Sequence, residues 1–142
     1  IWSRLVGSEM CIRDSPSEIK ATIKLARLFI QERDNNISRL VIVFQPHRYS
    51  RINKLLDQFI KELSKADYII ITNIFGAGEN KLNNIDSQYI ANKIYKLNRN
   101  VNYIPSNYEV AKKFLEITNK GDLILNMGAG DCHDLWSLLH SR

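Results

Sequence analysis

Four short runs of apolar, mostly β-branched residues recur along this chain, at 40–45, 68–72, 101–104 and 123–127. Between them lie stretches whose apolar residues return at spacings of three and four. This alternation limits the possible folds severely. A helix between two strands acts as a crossover, so successive strands point the same way, and the connection is right-handed. The runs at 40–44 and 68–71 are unbroken by polar residues of the charged or amide kind, which is the mark of strands covered on both faces. The expected fold is therefore α/β: a three-layer, Rossmann-like, mostly parallel sheet with helices on both faces.

The helices can be placed by their stripes. Pro16 and Ser17 open the first, with Ser17 as N-cap and Ile19, Ile23, Ala26 and Ile30 on one face; Asp34-Asn35-Asn36 closes it. The second covers 50–65, with Leu55, Leu56, Phe59, Ile60 and Leu63 inward. A third, at about 87–97, buries Ile90, Ala91 and Ile94. Asn107 caps a fourth that carries Val110, Ala111, Phe114 and Leu115, and 131–140 forms a last one.

A chain of 142 residues is the size of one domain. The net charge is +5, but pairs such as Lys61/Lys65 and Lys93/Lys96 read as solvated helix faces. No basic stripe interleaved with aromatics is present, so nucleic acid is not an expected partner. The positive balance suits small anionic substrates instead. No apolar run approaches the roughly 20 residues that cross a bilayer. Cys11 and Cys132 show neither metal spacing nor a bridging framework, and a reducing cytoplasm is the simple reading.

Chemistry concentrates after two strands. Pro46 cannot donate to a ladder, so the first run stops there. His47, Arg48 and Arg51 follow at once. A guanidinium grips carboxylate or phosphate with two parallel bonds, and ligands of open α/β sheets bind beyond the carboxyl ends of the strands. The residue types alone also allow a surface cluster paired with carboxylates, or a core histidine at His47. The loop 73–84 holds Phe75-Gly76-Ala77-Gly78-Glu79, where Glu79 is placed to orient an amine or pair with Arg48, or to be a solvated acid of a plain turn. Gly128-Ala129-Gly130-Asp131 stands between a strand and a helix, where backbone amides can meet an anion. The third glycine of a dinucleotide fingerprint is missing, because Asp134 holds its place. Trp136 and Cys132 read as core. No nucleophilic triad, paired catalytic carboxylates or zinc spacing occurs.

The run from Phe44 to Arg51 resembles, at every position, the Phe-Gln-Pro-His-Arg-Tyr/Phe-Thr/Ser-Arg motif of the Mur ligases, in the branch that joins L-alanine to UDP-N-acetylmuramate. Ala77-Gly78-Glu79 and Met127–Asp131 are similar to the same branch. The resemblance covers residues 16–142 and implies the carboxy-terminal domain of a three-domain, ATP- and Mg2+-dependent bacterial cytoplasmic ligase acting through an acyl phosphate. It implies that His47, Arg48 and Arg51 face the L-alanine carboxylate and the reaction centre, that Glu79 helps bind substrate, and that Ala77, Gly78, Gly128 and Gly130 line the interdomain cleft. ATP and Mg2+ would be held mainly by a central domain, and the sugar nucleotide by an amino-terminal one. No Gly-x-x-x-x-Gly-Lys-Ser/Thr loop occurs in this chain, so alone it is expected to be inactive. Two other readings stay open: a non-catalytic α/β module for anionic nucleotides, and the sister ligase that attaches recycled murein peptide. Gln45 and His47 argue against the sister.

Residues 1–15 stand apart. The stretch from Val6 to Ser15 resembles a translated sequencing adaptor, and it occupies the place where the family has Asp-Asp-Tyr-Ala/Gly-His-His, residues that there help bind ATP and position the domain. A signal peptide does not fit, since Gly7, Ser8 and Glu9 interrupt the apolar region. This segment is read as non-native and is expected either to be ill-ordered or to pack without native logic.

Overall fold

A computed structural model describes residues 5–12, 15–32, 39–46, 48–74, 86–117 and 121–128. Five strands and four helices alternate among them: β1 (Leu5–Ile12), α1 (Pro16–Ile30), β2 (Arg39–Gln45), α2 (Tyr49–Leu63), β3 (Tyr68–Ile71), α3 (Ser87–Tyr95), β4 (Val101–Tyr103), α4 (Asn107–Ile117) and β5 (Asp122–Gly128). The four strand runs read from the sequence are β2 to β5, each within a residue of its expected ends. The helix expected at 131–140 and the closing Asp34-Asn35-Asn36 lie outside the described residues.

The strands form one sheet in the order β1-β5-β2-β3-β4, and every described pairing is parallel. The two-residue period of a strand divides β2 between two cores. Leu40, Ile42 and Phe44 pack with Ile19 and Ile23 of α1, Ile52 and Phe59 of α2, and Ile90 of α3. Val41 and Val43 pack on the opposite face with Val110 and Ala111 of α4. Both faces of the sheet are thus covered, as the continuous apolar runs require.

Two helix caps differ from expectation. Ser15, not Ser17, caps α1: its Oγ accepts from the Glu18 amide at 3.2 Å. Pro16 takes the first helical position and pushes the residue before it into extended backbone, here φ −95° and ψ 146°, which is N-cap geometry. Likewise Ser106, not Asn107, caps α4, its Oγ accepting from the Glu109 amide at 3.2 Å.

Leu5–Ile12 pairs with β5 as an edge strand. The pairing is irregular, with register shifts between Val6 and Ser8 and between Ser8 and Ile12. The β2–β5 ladder, by contrast, runs unbroken from Arg39 opposite Asp122 to Gln45 opposite Gly128.

Candidate functional site

The strand order locates a crevice. From β2 the chain steps outward through α2 to β3 and through α3 to β4. It then returns over the other face through α4 and sets β5 on the far side of β2. The direction of winding reverses between β2 and β5, and ligands of such sheets bind at the carboxyl ends of that strand pair. Gln45 and Gly128 face each other there.

Directly after it, Pro46 is buried and Arg48 is exposed. Arg48 has φ 64° and ψ 124°, the only positive φ at a non-glycine among the described residues. A left-handed φ is costly for a residue with a Cβ, and such strain gathers at functional positions. It turns the chain sharply out of β2 into α2, with Arg48 as N-cap and without a side-chain capping bond. Arg51 is in the first turn of α2. The backbones of Arg48, Arg51 and Gly128 therefore share the switch-point edge. The Arg51 side chain, His47, Ala77, Gly78, Glu79 and Gly130 lie outside the described residues.

Two amides at this edge were not singled out as site residues in the sequence. Along β2, Gln45 continues the face of Val41 and Val43, and on β5 Asn126 continues the face of Ile124. Asn126 is buried, and the Gln45 Oε1 is buried without a hydrogen-bond partner among the described residues. A buried acceptor left open costs on the order of 1–3 kcal/mol. The available signal was a polar residue ending each of two apolar strands.

A cavity of about 280 Å³ opens beyond β3 and β4, lined by Tyr49, Asn73, Asp86, Ser87 and Tyr103 among others. The Ser87 hydroxyl donates to the Thr72 carbonyl, which fixes the start of α3 against the end of β3, and Tyr103 donates to Asn73 Oδ1, which ties the end of β4 to that of β3. Asp86 caps α3 by accepting from the Tyr89 amide at 2.7 Å. Burial, and then the negative charges of Asp86 and Glu109, push the Tyr103 hydroxyl above its ordinary pKa, so it stays a neutral donor. Among the described residues, no three His, Cys, Asp or Glu side chains converge to hold a metal, and no helix is long and apolar enough to cross a membrane.

Comparison with known proteins agrees with this arrangement. A family model described as Mur ligase, glutamate ligase domain, matches residues 14–130. A UDP-N-acetylmuramate--L-alanine ligase of Prochlorococcus marinus subsp. pastoris is 56% identical over 131 residues, covering 89% of this chain and 28% of that protein. Proteins of the same name from a Sulfurihydrogenibium species and from Brachyspira hyodysenteriae are 41% and 40% identical, covering 84% and 91% of this chain. The chain thus spans about a quarter of the length of these relatives (28%, 25% and 28%). In fold it is similar to a crystal structure of a Haemophilus ducreyi domain assigned to a UDP-N-acetylmuramate:L-alanyl-gamma-D-glutamyl-medo-diaminopimelate ligase, at a TM-score of 0.61 and 17% identity over 97% of this chain and 98% of that one. An unbroken family match over most of the chain, on an α/β sheet whose motif residues meet at the switch point, leads to one conclusion: this chain belongs to the Mur ligase family.

Proposed function

We propose that residues 16–142 act as the carboxy-terminal domain of an ATP-dependent ligase that adds L-alanine to UDP-N-acetylmuramate in the bacterial cytoplasm, during peptidoglycan synthesis. The observation that carries this reading is the meeting of the Phe44–Arg51 motif with Gly128 at the switch point. The names of the relatives support the substrate pair.

In this reading the domain closes over the reaction centre and sets cations where negative charge collects. Arg48, held outward by its strained backbone, and Arg51, one turn into α2, would face the alanine carboxylate and the charge developing on an acyl phosphate. His47 and Glu79 would complete the substrate contacts, and Ala77, Gly78, Gly128 and Gly130 would line the cleft.

ATP and Mg2+ do not fit the residues present. The described acidic groups do not converge, and the sequence has no phosphate-binding loop. These groups would be held mainly by a central domain of the full-length protein.

The decisive experiment is a chimera in which residues 16–142 replace the matching part of the Prochlorococcus marinus ligase. ATP-dependent addition of L-alanine to UDP-N-acetylmuramate is expected. A folded chimera that binds both substrates and ATP yet forms no product would reject the reading. The sister ligase remains the second reading, and the same chimera assayed with murein tripeptide in place of L-alanine separates the two.

A further inference from the structure

The three helices on one face of the sheet end together. α1, α2 and α3 pack on the same core, and each runs back from the carboxyl ends of the parallel strands toward their amino ends. Their last turns are laced through the short link 64–67. Arg27 of α1 donates to the Lys65 carbonyl and to Asp67 Oδ2, each at 2.7 Å. The Asn98 side-chain amide, just past α3, donates to the Ser64 carbonyl at 3.0 Å and to the Ala66 carbonyl at 2.8 Å. Residues 27–28, 61–67 and 95–99 thus form one floor, at the end of the sheet opposite the switch point.

Taken helix by helix, the lysines here are solvated faces, and a cation suits the carbonyl end of a helix. The fold adds what no single segment shows: an excess of positive charge set beside exposed apolar groups. Glu62 and Asp67 are taken by Lys65 and Arg27. Lys61, Lys96 and Arg99 are exposed and have no carboxylate partner among the described residues. Glu32, exposed just past α1, stands against them. Leu97 is 65% exposed, Leu28 54% and Tyr95 52%, with the Arg99 guanidinium 6.0 Å from the centre of the Tyr95 ring. Scattered singly, such apolar residues need no explanation; gathered at one charged end, they mark a docking surface.

We propose that this floor docks on an anionic phospholipid surface, with Lys61, Lys96 and Arg99 against the headgroup phosphates and Leu28, Tyr95 and Leu97 sunk between them. The charge chooses the occupant. A second copy of the chain would set cations against cations. A soluble acidic chain would satisfy the cations and leave the leucines wet. A bilayer presents negative charge above hydrocarbon, which is the order that cationic heads beside aliphatic side chains require. The attachment is peripheral, since no helix among the described residues is long and apolar enough to cross a membrane. It leaves the switch point, at the other end of the strands, facing away from the lipid. The proposal goes beyond the ligase reading and stands or falls without it.

Vesicle sedimentation tests it. The whole chain is mixed at low salt with vesicles of phosphatidylglycerol and, in parallel, with vesicles of phosphatidylcholine. Binding is expected to the first alone, and it should weaken as salt rises. Two pairs of substitutions carry the same change of charge. Lys96→Gln with Arg99→Gln, on the floor, should weaken binding roughly tenfold or more. Lys112→Gln with Lys113→Gln, exposed on α4 across the sheet, should weaken it less than about threefold, through net charge alone. Leu97→Ser leaves the charge untouched and should weaken binding roughly fivefold. All of these positions are exposed, so the variants should melt close to the parent. Equal losses from the two pairs, or a Leu97→Ser variant that binds as the parent does, would reduce the effect to the chain's overall positive charge and overturn the proposal. So would no binding to phosphatidylglycerol. Polyglutamate bound with the same dependence on Leu97 would assign the floor to an acidic polypeptide and overturn it as well.

Discussion

Arg39 and Asp122 clasp each other across the first rung of the β2–β5 ladder. The guanidinium donates from Nε to Asp122 Oδ1 at 2.9 Å and from an Nη to Oδ2 at 2.7 Å. The Asp122 side chain is only 2% exposed, and this two-pronged contact gives the buried carboxylate a counter-charge and hydrogen-bond donors. The hydrogen bond that Arg39 donates to Asp122 in turn holds the guanidinium above its ordinary pKa. The clasp sits at the amino end of the two strands whose carboxyl ends form the switch point.

Asp122→Ala should therefore destabilise the domain by about 2 kcal/mol, since it removes two charged hydrogen bonds from a half-buried cation. Arg39→Ala should cost at least as much, because it takes the same bonds from the more deeply buried partner. Urea unfolding of both single variants and the double variant checks this. A double variant no less stable than the better single one shows that the pair acts as a unit.

Asp67 makes stability depend on pH. It accepts from Arg27 Nη1 and from the Leu40 amide, each at 2.7 Å, and so ties α1 to β2. Burial alone would raise its pKa, but the Arg27 bond, the Leu40 amide and the charges of Arg27 and Arg39 outweigh it and hold the carboxyl below the ordinary carboxylate value. A depressed folded pKa stabilises above the unfolded value of about 4 and loses that contribution as pH falls through the folded pKa. Asp67→Asn should be the less stable protein at pH 7, and the gap should close below about pH 4. Melting curves from pH 3 to 7 check the sign.

The two serine caps are separable from the core. Ser15→Ala and Ser106→Ala should each cost on the order of 1 kcal/mol, the loss of one capping bond. Ser17→Ala and Ser106→Asp should be close to neutral. Thermal unfolding distinguishes these from the sequence-level assignment, under which Ser17→Ala would be the damaging change.

In the chimera, Arg51→Ala should damage catalysis far more than folding. Losing one preorganised cation opposite developing charge costs about 2–4 kcal/mol in the transition state, a fall in rate of roughly thirty- to thousand-fold. Stability should change by less than about 1 kcal/mol. Arg51→Lys should recover only part of the rate, since lysine lacks the planar fork. An unaltered rate with a sharply lowered unfolding midpoint would make Arg51 a structural ion-pair partner and withdraw it from the site.

Residues 16–142 alone should release no ADP from ATP when L-alanine and UDP-N-acetylmuramate are supplied. Measurable turnover by the purified domain would show that a phosphate site exists where the sequence has no loop for one.

The strands were legible because β2 to β5 are dense in Ile, Val and Leu and are bounded by breakers such as Pro46 and Gly121. The cap of α1 was misread by two residues because Pro16 fixes its predecessor as the cap, a rule about backbone that outranks side-chain preference. The order of strands was not legible at all. Nothing local to 122–128 says that β5 returns past β4 to lie beside β2; that follows from packing Ile124 with Val110 and Val41 on one face. The candidate site was therefore half visible. Arg48 and Arg51 stood out as cations after a strand, while Gln45 and Asn126 acquire meaning only once the ladder puts Asn126 opposite Val43 and Gln45 opposite Gly128.

That long-range ladder also dictates when the site can exist during synthesis. β2 finds β3 across one helix, but its other partner lies 83 residues further on, at the Arg39–Asp122 rung. A nascent chain leaving the ribosome can form the β2–α2–β3 unit early, by local closure, while the far side of β2 waits open. The crevice comes into being only when β5 emerges, so a ribosome that stalls before residue 122 would release a protein without this binding edge.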